Sequence, residues 1–447
     1  ETGIVLTQPE AREILTGAGA TIRGNFVLLP PDLVEQQLAM CPSQVTILGR
    51  SGDTLVLGDG GLLWHNAGGA REVYEPQSKT CRPATLRDVQ DSTRLLDALD
   101  GVTSVTPFFT PRDIPGELMS LMMYRHSLSH TVKPVQGPGV QTALEVGYAV
   151  RLAQVLGPPQ EVLSLSVSPV SPLIFPDDVA EAIIATARQG IAFAPLPCPT
   201  AGMTSPLSLA GALAQQNAEV LASVVLAQLV QPGLPIVYCG RLAMMEPRTA
   251  SSVWSGVELG LASAATVQIG HRYGLPVNVY GFSSNSHLLD IQSGFERALN
   301  AILPALAGAS ELSGIGEMAA GVSGSYAQMV CDNEIAASVN RLRRGFAVND
   351  DSMAVGIVAA AMRGSRSFLD QKHTMRYLRS GELLLTRLAE RRPRDVWEKD
   401  GRASMAERAA AEAERLLAAH KVTPLTEEQE RDLDEIMEAA WRELVAN

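Results

Sequence analysis

The stretch from Gly202 to Gly240, GMTSPLSLAGALAQQNAEVLASVVLAQLVQPGLPIVYCG, constrains this chain more than any other. Between Thr204 and Gln231 its one charged residue is Glu219. A helix formed here is apolar on nearly every side and has to be covered by protein all round. Ser205 can serve as its N-cap, with Pro206 in the first turn, where a missing N–H costs nothing. Gln231-Pro-Gly233 ends the helix. Pro235-Ile-Val-Tyr-Cys-Gly240 follows as a short strand apolar on both faces, the mark of a parallel sheet sandwiched by helices. A membrane-spanning reading fails, because Gln215, Gln216, Asn217 and Glu219 would lie mid-bilayer. A long covered helix feeding a buried strand predicts an α/β core.

From Thr85 onward the pattern is strand, loop, helix, repeated. Strand-like runs begin near Ser104, Thr131, Leu163, Ile191, Pro235, Pro276, Glu311 and Phe346, the last two short and Gly-rich. Helical stretches fill the gaps, among them Asp178–Arg188, Leu207–Val230, Ile291–Leu306 and Tyr326–Arg344. Eight such runs, spaced by roughly 30–45 residues, predict a (β/α)8 TIM barrel. A doubly wound open sheet is the alternative, but no Gly-rich dinucleotide turn follows a first strand. The expected organisation is an N-terminal α+β cap over residues 1–85, the barrel over 86–370 and a C-terminal helical extension over 371–447. Within the cap, Trp64-His65 reads as a half-buried aromatic beside a surface imidazole, or as part of a lid. In the extension, Thr426 and Gln429 form a capping box. Leu433, Ile436, Met437, Ala440, Trp441 and Leu444 share one face there, which packs on the barrel or serves a homodimer or partner contact.

Composition removes several function classes. A net charge of −12 with no long basic run argues against nucleic-acid binding. The five cysteines, Cys41, Cys81, Cys198, Cys239 and Cys331, are odd in number and scattered, which predicts reduced thiols and a cytoplasmic protein. Neither a signal peptide nor a membrane span is legible, although the chain opens Glu1-Thr-Gly without a methionine.

Barrel enzymes carry their chemistry at the C-terminal ends of the strands. Aromatic residues are scarce at 5%, yet Phe108, Phe109, Tyr238, Tyr280 and Phe282 fall at expected strand ends, with Tyr326 close behind one. Converging rings would cage a quaternary ammonium, each worth about 0.5–2 kcal/mol when desolvated; the alternative is that they fill the core. Cys198 and Cys239 end adjacent strands and His287 follows the next, a set that could hold zinc with an open position but lacks tight ligand spacing. His126-x-x-x-His130 lacks the glutamate of a zincin.

Several blocks, in order, carry a family resemblance: Thr110-Pro-Arg-Asp113, Lys133-Pro134, Ser205-Pro206, Gly211-Ala-Leu-Ala-Gln-Gln-Asn-Ala-Glu219, Gln228-Leu-Val-Gln-Pro-Gly233, Asp290-Ile-Gln-Ser-Gly-Phe-Glu296, and Lys372-His-Thr374 before Arg379. Together they resemble the trimethylamine methyltransferase superfamily of corrinoid-dependent enzymes. A similar Glu-Thr-Gly closes an N-terminal helix in that family, which implies a chain trimmed at its start. The resemblance implies that a reduced corrinoid, Co(I), takes a methyl group from an amine. The family's trimethylamine enzymes carry pyrrolysine in the barrel. This chain uses only the common twenty residues, and so looks like the branch that acts on quaternary amines such as glycine betaine. A quaternary nitrogen leaves as a neutral tertiary amine and needs no general acid, so the protein need only exclude water, cage the cation and aim one methyl.

On that reading Glu317, in Gly314-Ile-Gly-Glu317, and His373 are the expected catalytic residues. Phe109, Tyr238, Tyr280, Phe282 and Tyr326 are expected around the ammonium. Arg241 and His287, with Lys133 and Arg125 as further candidates, would meet a carboxylate. Asp332, Asp290 and Glu296 read first as structural acids. No Asp-x-His-x-x-Gly signature for the corrinoid occurs, which predicts a cofactor delivered on a separate cognate corrinoid protein docking over the barrel mouth, with no nucleic acid and no membrane involved. A zinc-dependent barrel methyltransferase or hydrolase using Cys198, Cys239 and His287, and a non-catalytic binder of methylated amines, are the competing readings.

Overall fold

Why should a strand such as Val277-Asn-Val-Tyr280 be apolar on one side and polar on the other when both sides are inside the protein? The computed structural model, which describes residues 2–445, answers this. Among the described residues eight extended segments run parallel around a closed ring. Leu63–Asn66 pairs with Glu311–Ile315 on one side and, through Thr103 N donating to Trp64 O at 2.8 Å, with 103–106 on the other. Val105 N donates to Pro134 O and Gly137 N to Ser164 O, which adds 134–137. Ser164–Val167 pairs in register with Ala192–Pro195, and Val237 N donates to Phe193 O at 3.0 Å. Tyr238–Cys239 pairs with Val277–Tyr280, which pairs with Glu311–Ile315 and completes the ring. Residues alternate in direction, so one set faces the helix layer and the other the barrel axis.

The TIM barrel is therefore present, with one strand exchanged relative to expectation. The run at Phe346 forms no strand; Phe346 is 74% exposed. Its place is taken by Leu63–Asn66, inside the stretch expected to be cap, so a boundary at 85/86 would cut the barrel sheet. Trp64 and His65 are correspondingly 0% and 6% exposed, overturning the half-buried and surface reading. Trp64 faces outward, stacked on Phe282 at 4.9 Å, with its indole N–H donating to Asn340 Oδ1 at 3.1 Å. His65 faces the axis.

The hairpin Val45–Leu48 and Thr54–Leu57 plugs the N-terminal end of the barrel. Val45, Ile47, Leu55 and Leu57 pack there against Ala192 and Val237, each burial worth about 1.5–3 kcal/mol. Helix Leu209–Val230 starts after Ser208; Ser205 instead bridges Ala201 in the preceding turn. This helix is long and apolar enough to cross a membrane, yet half of it is buried inside the protein. The helices Pro9–Gly17 and Pro31–Ala39 cover the side turned from the barrel, which explains why polar residues are scarce all round it. Helix Glu427–Leu444 has the expected Thr426–Gln429 capping box. It buries Leu433, Met437 and Ala440 beside helices Met119–His130 and Ala143–Gln154, while Arg125 pairs with Glu430 and Asp434.

Helix Tyr326–Arg344 descends from the end of the last strand to the plugged end, where Arg343 donates to Gly60 O. The chain then makes an excursion over 346–381 carrying the helices Asp350–Met353, Val355–Arg363 and Lys372–Arg379. Arg341 donates to Glu382 O and Arg344 to Gly381 O, so the two ends of the excursion meet.

Candidate active site at the barrel mouth

At mid-height the axis-facing side chains form one hydrogen-bonded network. Glu311 accepts from Gln136 Nε2 at 2.7 Å, from Ser104 Oγ at 3.2 Å and from Asn278 Nδ2. The carboxamide oxygen of Asn278 accepts from Arg241 Nη2, so its amide N–H groups face Glu311 and, at 2.9 Å, His65 Nε2. His65 Nε2 is then the acceptor, and Nδ1–H donates to Thr106 Oγ1 at 3.2 Å. Burial holds this imidazole below its usual pKa, consistent with the neutral tautomer. One amide thus links a buried carboxylate to a buried guanidinium, with each group satisfied.

Above this layer the mouth opens. Arg241 lies over the Tyr280 ring at 4.6 Å, and Trp254 meets that ring edge-on at 5.5 Å. Arg241 Nη1 donates to Asn278 O at 2.9 Å and Nη2 to Ser313 Oγ at 3.0 Å. On the opposite wall the inward residues are small, Ser164, Ser166 and Ala194, and all keep partial exposure. There a cavity of about 330 Å³ reaches out past Gln141, Ser168, Asp178 and Leu196, a volume suited to a small molecule. Cys198 is exposed beyond the neighbouring strand, and the surrounding protein pushes its thiol up to about 12.

Glu317 sits two residues beyond the last strand, fully enclosed. Its Oε1 accepts from Ser283 Oγ at 2.6 Å, and its Oε2 has no partner. Burial raises this carboxyl to about 7, against the lowering by the Ser283 bond and by the Arg297 and Arg241 charges. The segment is clamped by Arg297, which donates to the carbonyls of Phe282 and Glu317 and pairs with Asp332 at 3.0 Å. Asp332 also accepts from Gly316 N at 2.8 Å. Gly314 takes φ +111° with its Cα against the Phe282 backbone, where a Cβ would come within 3.1 Å. Asp290 caps helix Ile291–Ala307, and Glu296 ties down Ser284 and the Asn285 amide, both structural as expected.

Of the expected site residues, the mouth gathers Tyr280, Arg241 and Glu317; the Glu317 charge contributes to raising the Tyr280 hydroxyl. The other rings do not converge on one point. Tyr238 faces the helices, its hydroxyl donating to Asn217 Oδ1 at 2.9 Å. Phe282 belongs to the Trp64 stack. Phe109 packs on Phe108 and Tyr326, and the Tyr326 hydroxyl donates to Asp88 at 2.9 Å. His287 is exposed on the 283–290 loop. His373 stacks on Tyr377 within the excursion, at the opposite end of the barrel. Lys133 caps helix Leu86–Ala98 through Leu96 O and Leu99 O, and Arg125 fastens the C-terminal helix, so neither lies at the mouth. Among the described residues no three His, Cys, Asp or Glu side chains come together to hold a metal, and the set Cys198, Cys239 and His287 is not assembled. Sequence reasoning missed His65, Gln136, Trp254, Asn278 and Glu311. Single polar residues inside otherwise apolar runs, as in Val277-Asn-Val279, were the available signal for axis-facing positions.

A closed barrel with an enclosed carboxyl, a stacked guanidinium and a recess at its C-terminal mouth is the frame of a barrel enzyme. The profile of the family described as Trimethylamine methyltransferase (MTTB) matches residues 1–444. The chain belongs to that family and is a methyltransferase. It is 30% identical to the trimethylamine methyltransferase MttB of Desulfitobacterium hafniense, covering 98% of this chain and 89% of that protein. Its identity to MttB of Methanosarcina barkeri is 29%, over 98% of this chain and 91% of that one. A glycine betaine methyltransferase of Desulfitobacterium hafniense is 28% identical over 94% of this chain and 88% of its own length. The crystal structure of the Methanosarcina barkeri monomethylamine methyltransferase superposes with a TM-score of 0.49 at 12% identity, covering 99% of this chain and 89% of that one.

Proposed function

We propose that this methyltransferase moves a methyl group from a quaternary amine of the glycine betaine type to the Co(I) centre of a separate corrinoid protein. The observation that carries the reading is the bare Oε2 of Glu317, enclosed at the mouth beside the Arg241–Tyr280–Trp254 stack. A buried carboxyl oxygen without a donor is costly. An onium head, which has no N–H to give, would complement it through charge alone. Trp254 supplies aromatic surface, while the face of Tyr280 under Arg241 is already taken. Arg241 spends its Nη groups on Asn278 and Ser313, so it would act on a substrate carboxylate through its field. The cavity lined by Ser166, Ser168 and Leu196 leaves room for the remainder of the substrate.

A corrinoid docked at the mouth would supply the electron pair for the new bond to the methyl carbon. The C–N pair stays on nitrogen, which leaves as a neutral tertiary amine, so no proton is required of the protein. These residues hold the cation, exclude water and aim one methyl outward. The open mouth fits a partner-borne corrinoid, and the five unpaired cysteines fit a reducing, cytoplasmic setting.

The test is a spectroscopic screen of glycine betaine, other quaternary amines and trimethylamine with cob(I)alamin, following methyl-Co(III) absorbance. Quaternary amines are expected to react and trimethylamine not. The reverse selectivity would defeat the proposal. Calorimetric binding with no methyl transfer would make the chain a binder.

A further inference from the structure

One buried arginine reaches the main chain of Glu317 and spends its charge elsewhere. Arg297, fully buried on helix Ile291–Ala307, donates through Nε to Ser293 Oγ at 3.0 Å and through Nη1 to Asp332 Oδ2 at 3.0 Å. Its remaining bonds go to the carbonyls of Phe282 and Glu317. Asp332, fully buried on helix Tyr326–Arg344, accepts in turn from Gln328 Nε2 at 2.9 Å. Ser293 Oγ donates to Gln328 Oε1 at 3.2 Å, so Arg297, Asp332, Gln328 and Ser293 form a closed circuit between the two helices. Asp332 Oδ2 also takes the Gly316 N–H, at 2.8 Å, one residue before Glu317. The guanidinium thus holds the Glu317 backbone while the Glu317 side chain keeps Oε2 without a partner. A buried arginine and a buried carboxyl oxygen in one place would ordinarily pair.

We propose that Asp332 is a positioning residue for methyl transfer: it binds Arg297 to itself and so leaves the bare oxygen of Glu317 to the substrate cation, a role that rests on the function proposed above. Stability alone does not call for such a pair, since well-packed apolar residues often serve a core as well. What apolar residues would not do is cancel the Arg297 charge beside the site. The charged groups facing Glu317 are Arg297 and Asp332 from the two helices and Arg241 from a strand end. Ser283 and the Tyr280 hydroxyl are its other polar neighbours. Without Asp332, Arg297 is an uncompensated buried cation, and Glu317, whose carbonyl it already holds, is the carboxyl left to neutralise it. An incoming ammonium would then meet a carboxylate already paired.

Urea unfolding from about pH 5 to about pH 8 tests this on the wild type, Glu317→Gln, Asp332→Asn and the two substitutions combined. A carboxyl that keeps its proton up to about 7 in the folded state makes the unfolding constant rise by up to about tenfold per pH unit between about 5 and 7. Glu317→Gln should remove that rise from the wild type. In the Asp332→Asn background it should change the slope by less than about twofold per unit, because Glu317 is already ionised against Arg297. Equal flattening in both backgrounds is what a merely structural Asp332 gives, and it overturns the proposal. So does a wild-type slope that Glu317→Gln leaves unchanged. Should Asp332→Asn fail to fold, pairing it with Arg297→Gln removes both charges as a unit. The Glu317 contribution should then persist in full, and its loss there overturns the proposal. These slopes need no ligand, so they decide the point even if no quaternary amine binds and the proposed function fails. Where glycine betaine does bind, Asp332→Asn should weaken it by about tenfold or more near neutral pH, and unchanged affinity counts against the role.

Discussion

Glu317 is a carboxyl whose two oxygens live differently, one bonded to Ser283 and one bare. Burial raises it to about 7, so the folded protein holds a proton between the ordinary carboxylate pKa near 4.5 and 7 that the unfolded chain has released. Stability therefore falls as pH rises through that window. Asp332, raised to about 6, adds to the fall. A quaternary cation reverses the preference by favouring the ionised form. Its affinity should strengthen with pH, approaching tenfold per unit below about 7, and calorimetry in buffers of different ionisation heat should detect a released proton. Glu317→Gln should bind weakly with a flat pH profile and lose less stability between pH 5 and 8 than the wild type. At the same scale, Asn278→Ala strips both Glu311 and Arg241 of a partner, and a loss of about 3–5 kcal/mol is expected in denaturant unfolding. Legibility at this scale was uneven. Glu317, Arg241 and Tyr280 stood out because charge and rings are rare at strand ends, while His65 and Glu311 did not, since their partners lie far along the chain and meet only when the barrel closes.

Strands and helices were legible in proportion to how local their causes are. Helix Tyr326–Arg344 begins and ends where its periodicity predicts, and so does the Thr426 capping box. Leu63–Asn66 was hidden because four residues with both faces enclosed show neither period, and a strand so short looks like any hairpin arm. Ser205 failed as the helix start because the preceding turn uses it in a bridge to Ala201. The last strand makes a prediction of its own. Gly314→Ala forces a side chain into φ +111° against the Phe282 backbone, which should cost about 1–3 kcal/mol. Because that glycine leads directly to Glu317, methyl transfer should fall further than the change in melting temperature accounts for. Retained activity with a lowered melting temperature would separate the glycine from the site.

At the scale of the molecule, the barrel and its coverings were foreseeable from spacing, but which piece covers which was not. The N-terminal segment supplies a barrel strand, the bottom plug and the outer blanket over helix Leu209–Val230. Dividing it from the barrel by sequence position therefore misses its structural part. The segment 346–381 read partly as the last strand and helix of the barrel and partly as tail, since an exposed apolar surface carries the same signal in sequence as a buried one. Closure of the ring between Leu63–Asn66 and Glu311–Ile315 has a consequence for the growing polypeptide. About 250 residues must leave the ribosome before the first strand can find its final neighbour. Until then the edge of Leu63–Asn66 that Glu311–Ile315 will cover waits unpaired, and the buried acid at the centre of the axial network has yet to be synthesised.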